Sequence, residues 1–130
     1  MRFPKYFPKR CPPADCSEAT GTYYRAIEGN SPVEKDFLPH WLLKPYNQHV
    51  WIKAGQACIA CGLSVNRNIE DLKKKIEIWP VLRNRNIAEG TLSANMGKVK
   101  AAPSVMDPSH HTWWVPSSIK DPSSFFKIVA

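Results

Sequence analysis

Proline occurs 12 times in this 130-residue chain. Each ring fixes its own φ, removes a backbone donor and pushes the preceding residue away from the helical region, so the chain is expected to fold as short elements joined by fixed turns. Five tryptophans add a small, aromatic-rich interior. With 43% hydrophobic and 22% charged residues the composition is that of an ordinary globular domain, and 130 residues suffice for one core without disulfide staples.

The clearest element is NIEDLKKKIEIWP. Asn68 is placed to cap it, Ile69, Leu72, Ile76 and Trp79 form an apolar stripe, Glu70 with Lys74 and Asp71 with Lys75 pair on the wet side, and Pro80 ends it. The lysine run 73–75 then reads as the solvated face of an amphipathic helix over about 68–79. TYYRAI (22–27) reads as the first strand, GLSV (62–65) as a short strand, and IAEGTLS from 87, GKVKAAP from 97 and HTWWV from 111 as later ones. Ser31, Pro32 and Glu34 match a capping box that opens a short helix stopped by Pro39. Residues 40–57 fit no single element, with QHVWIKA (48–54) open to a strand, and Asp121 with Pro122 opens a short helix or docked tail. Residues 1–20 are proline-rich and irregular, a strap across the surface. The fold class is α+β: a small, mostly antiparallel sheet, one main helix at about 68–79 and short capping helices, in a single domain over 1–130.

The formal charge is +7, from 18 basic and 11 acidic residues, which favours anionic partners. The basic groups are scattered through KYFPKR, KKK, RNR and GKVK, so a solvated surface and a nucleic-acid face both fit. The start of the chain lacks the apolar run of a secretory signal, and nowhere do about 18 apolar residues follow one another. A soluble, cytoplasmic protein is expected, with no membrane partner, and in that reducing compartment the cysteines are not expected as disulfides.

Those cysteines fall in two pairs, Cys11 and Cys16 in CPPADC and Cys58 and Cys61 in CIACG. Two thiolates separated by two residues reach one tetrahedral ion, and a following glycine lets the backbone turn, so CIACG resembles a zinc knuckle. Structural zinc held by Cys11, Cys16, Cys58 and Cys61 would also tie down the strap. Free thiols and a redox pair are the alternatives, because Cys58 and Cys61 sit among apolar residues where free cysteine is at home.

HHTWWVP (110–116) sets two imidazoles and two indoles between turn signals. On a strand His110, Thr112 and Trp114 face one way and His111, Trp113 and Val115 the other, so one histidine faces away from its neighbour's pocket. The indoles then read as core or sheet cover. An arginine at 25, inside a strand otherwise made for burial, needs a partner. Asp36 and His40, in KDFLPHW, are a second polar pair beside an aromatic turn.

Three segments together suggest a family. A strand ending in Tyr24-Arg25, a short strand Gly62-Leu63-Ser64 followed at once by a helix, and the late strand His110-His111-Thr112-Trp113-Trp114 resemble, in that order, the skeleton of ADP-ribosyltransferase-like folds, which include small bacterial toxins. The resemblance spans about residues 22–116. It implies that Arg25, with Tyr24 beside it, grips NAD phosphate or ribose, that Ser64 lines the nicotinamide subsite, and that HHTWWVP stands where the family carries a glutamate. No glutamate follows Glu89 in this chain, so His110 or His111 occupies that place as a base or phosphate ligand. The resemblance thus implies a toxin or defence-associated factor acting on NAD or a nucleotide, with an inhibitory or complex-forming protein partner. Two alternatives stand beside it: a non-catalytic basic module, stapled by zinc, that binds nucleic acid or protein, and a small ribonuclease using two histidines as acid and base.

Overall fold

The computed structural model describes all residues from 1 to 130. Seven strands form one sheet: β1 (Ser17–Glu18), β2 (Gly21–Ile27), β3 (Leu63–Asn66), β4 (Asn86–Leu92), β5 (Lys98–Ala101), β6 (His110–Trp114) and β7 (Phe126–Ile128). They lie in the order β1-β5-β6-β3-β2-β4-β7, and every pair is antiparallel. Four α-helices accompany them: α1 (His40–Leu43), α2 (Gln48–Lys53), α3 (Ala57–Ala60) and α4 (Ile69–Ile78). The class is α+β with a small antiparallel sheet.

The strands follow the alternating, β-branched and aromatic segments, because such side chains fit a half-buried pleat. The three segments of the resemblance, on β2, β3 and β6, are neighbours in the sheet. Both indoles of β6 are buried, Trp113 and Trp114 exposing 0% and 1%. They serve opposite faces. Trp113 packs against Phe126 in the main core and donates to Met96 O, whereas Trp114 donates to Cys58 O beneath α3. Each N–H has an acceptor, as a buried indole requires.

Helix α4 begins where its cap predicts: Asn68 Oδ1 accepts from the Glu70 amide at 2.8 Å. The stripe is narrower than expected, since Leu72 is buried and Trp79 is exposed. The lysine run does not form one wet face either. Lys75 turns inward, away from Asp71, and its ammonium lies 2.5 Å from Asp107 Oδ2 and 3.1 Å from Asn66 Oδ1. Asp71 instead accepts from the Ser109 amide.

Two other local expectations give way. Residues 48–53, open to a strand from the sequence, are helix α2, packed on α3 rather than paired in the sheet. Ser31 caps nothing; a single 3-10 turn, Glu34–Phe37, follows, and the Asp36 carboxylate closes the loop by accepting from the amides of Val33 and Glu28. No helix is long and apolar enough to cross a membrane.

The strap lacks regular structure as far as Cys16, and a disulfide anchors it: Cys11 is bonded to Cys58 on α3. The expectation of four reduced thiols fails at this pair. Cys16 and Cys61 remain free. Zinc would need four thiolates at one point, yet two are bonded to each other, and no group of three or more His, Cys, Asp or Glu side chains converges anywhere to hold an ion. The residues present do not fit a zinc site.

Candidate functional site

Strands β2 and β3 share only one Cα pair, Tyr24 with Asn66. Past it the two strands part, and Arg25 fills the opening. Its Nη1 donates to the Ser64 carbonyl at 2.7 Å and its Nε to the Asp36 carbonyl at 2.8 Å. The guanidinium thus gives Ser64 O a donor that no neighbouring strand offers there, and it also rests 5.5 Å from the Phe37 ring centroid. Burial pulls the Arg25 pKa down to about 10, with Asp36 pulling it back up, so the side chain is a cation at neutral pH. Nη2 makes no hydrogen bond to the protein.

On β3, Ser64 pairs across the ladder with Thr112, and Asn66 with His110. Ser64 and His110 are therefore diagonal neighbours on one face, within reach of each other. Ser64 Oγ lies 2.6 Å from His110 Nε2, and His110 Nδ1 lies 3.0 Å from the Ala102 carbonyl. A carbonyl only accepts, so Nδ1 carries the proton, Nε2 presents its lone pair, and the Ser64 hydroxyl donates to it. Burial is the main cause lowering the His110 pKa, with Lys75 and His111 acting in the same direction.

A cleft of about 280 Å3 opens over these groups, lined by Arg25, Ser64, His110 and Thr112 from the sheet and by His40, Trp51, Gln56 and Ile59 from the helical segment. No carboxylate lines it. His40, the first residue of α1, is also shifted toward its neutral form, by burial first and then by Lys44 and Arg25.

Three of the residues singled out from sequence, Arg25, Ser64 and His110, thus share one site. His111 does not join them. It faces the other side of the sheet, edge-on to the Tyr23 ring with centroids 6.1 Å apart, and its Nδ1 is 2.9 Å from Ser109 O. The acid–base couple of adjacent histidines that the ribonuclease reading needs is not formed. Tyr24 is also outside the cleft, beside Glu89, where burial and that carboxylate raise its pKa. Asp36 and His40, read as a separate pair, belong to the Arg25 site, Asp36 through its carbonyl and His40 as wall.

Trp51 and Gln56 were not visible as site residues, since their segment fits no single element in the sequence. Behind His110, Asn66 Nδ2 bonds Asp107 at 2.6 Å and Ser109 Oγ at 3.1 Å, so Lys75, Asn66 and Asp107 brace the loop that leads into β6. No family model, curated protein or solved structure matches this chain.

Proposed function

We propose that the protein is an enzyme that acts on NAD or a related nucleotide in this cleft, breaking the bond between ribose and base and passing the ribosyl group to water or another hydroxyl. The observation that carries the reading is the meeting of the Arg25 guanidinium, the Ser64 hydroxyl and the His110 imidazole, from three adjacent strands, in one hollow. A mostly pre-formed cleft with a few convergent polar groups is the usual form of a small-molecule site. At about 280 Å3 it accommodates the base-and-ribose end of a dinucleotide, with the remainder outside the cleft.

In this reading the free Nη2 of Arg25 receives a phosphate oxygen, held by a charge-assisted bond. Trp51 offers an aromatic wall to the base. The unprotonated Nε2 of His110 takes the proton of the attacking hydroxyl as the ribose–base bond breaks, which accounts for the proton released with each turnover. With no carboxylate beside the ribosyl centre, stabilisation of its positive charge falls to the dipoles of Ser64 and the neighbouring carbonyls. Turnover then relies on activation of the acceptor.

Incubation with NAD, following free nicotinamide, is the test. Release by the intact protein, reduced about 100-fold or more in His110→Gln, is the expected result. Absence of release, with and without cellular extract as a source of acceptor, would overturn the reading.

A further inference from the structure

The pair at 64 and 110 supports chemistry that does not depend on NAD being the substrate. A serine becomes a nucleophile when a base stands within hydrogen-bond reach of its hydroxyl and a third group fixes the base in the right tautomer. All three parts are present. Ser64 is exposed to the cleft, its hydroxyl lies 2.6 Å from His110 Nε2, and the Ala102 carbonyl 3.0 Å from Nδ1 holds the proton on the far side of the ring. Arg25 is bonded to the carbonyl of Ser64 itself, which sets a fixed positive charge within one residue's span of the nucleophile.

We infer that Ser64 is an activated nucleophile and that the cleft hydrolyses small carboxylic esters carrying an anionic group, through an acyl-Ser64 intermediate. The Ser64 proton passes to His110 Nε2 as Oγ forms a bond to the ester carbonyl carbon. Collapse of the tetrahedral species breaks the bond to the alcohol oxygen, which leaves with the proton from His110. Water then attacks the acyl-Ser64 ester, gives one proton to His110, and releases the acid with the serine hydroxyl restored. Arg25 receives the anionic group of the substrate, and Trp51 and Ile59 offer apolar wall to the rest. A carbonyl orients His110 where a carboxylate would also stabilise the imidazolium, so the expected rate is modest.

The test uses two probes, a fluorophosphonate and the mono-4-nitrophenyl ester of succinic acid. Expected are a single fluorophosphonate adduct, mapped to Ser64 by peptide mass spectrometry, ester hydrolysis abolished in Ser64→Ala, and labelling slowed about 100-fold or more in His110→Gln. Should that variant unfold, the wild-type protein gives the same answer, because labelling must fall as His110 is protonated at acid pH. No adduct at Ser64 in the folded protein, an adduct elsewhere only, or a labelling rate that is unchanged in folded His110→Gln or that never falls as the pH is lowered from about 6.5 to the limit of the folded state overturns the inference. Nicotinamide release is measured separately, so ester hydrolysis without it, or the reverse, tells which of the two readings fails.

Discussion

Lys75 Nζ and Asp107 Oδ2 lie 2.5 Å apart with only 6% and 5% of their side chains exposed, and Asn66 bonds to both partners. Removing one partner of such a pair leaves a buried charge without compensation, which costs about 3–5 kcal/mol. Lys75→Met and Asp107→Asn should each lower the urea midpoint accordingly. The double variant Lys75→Met/Asp107→Asn should recover part of the loss, which the double-mutant cycle with the two single variants would show as a coupling between the sites.

Arg25→Lys keeps the charge but cannot fork between two carbonyls. The carbonyls of Asp36 and Ser64 lose their donors, and because the contact to Ser64 is solvent-accessible the expected loss is about 1–3 kcal/mol. Thermal unfolding of the variant, with and without inorganic phosphate, checks both roles: a lowered Tm together with loss of any phosphate-induced rise.

His110 and His40 are both shifted toward the neutral form, chiefly by burial. Their folded pKa values lie below the unfolded one of about 6.5, so the unfolded chain takes up protons first as the pH falls. Stability is therefore complete above about pH 6.5 and declines toward the folded values. Urea midpoints at about pH 7.5 and pH 5.5 should differ in that direction, and His110→Gln should flatten the dependence.

Gly97 has φ +116°, and a methyl group there would collide with the Trp114 carbonyl and stand 2.9 Å from the Trp113 indole nitrogen. Gly97→Ala combines backbone strain with overpacking and is expected to destabilise by about 3 kcal/mol or more, read as a lower denaturant midpoint.

The Cys11–Cys58 bond closes a loop with a sequence separation of 47. Chain-entropy arguments give it about 4 kcal/mol at most, so reduction should lower the melting temperature. Alkylation of the oxidised, folded protein should modify Cys16 alone, because Cys61 is buried and its thiol is pushed up to about 12. Modification of both thiols at neutral pH without unfolding would contradict this burial.

The strands at 21–27 and 110–114 were legible because local pattern and tertiary role agree there, alternating strand formers between turns. The helix at 69–78 was legible at its asparagine cap but not in the face it buries, since only Leu72 of the apolar stripe is buried. Residues 48–53 misled because Val50, Trp51 and Ile52 favour strands in isolation, whereas packing on α3 decides. Lys75 was misread for a related reason. Its i,i+4 spacing from Asp71 is local, but the carboxylate it pairs with arrives from the far end of another loop, and sequence gives no hint of that proximity. The cysteines carried the least information, since spacing alone does not reveal connectivity. Arg25, Ser64 and His110 were each identifiable, yet only the order of the strands puts them side by side, and the same order sends His111 elsewhere.

The parting of β2 from β3 beyond Tyr24 makes position 25 answer to two kinds of selection at once. A screen that scores cellular abundance would group Arg25 with the interior residues, and, on the proposed function, a screen that scores turnover would group it with the residues that hold substrate. Neither alone would reveal that one side chain both closes a seam in the sheet and charges the hollow beside it.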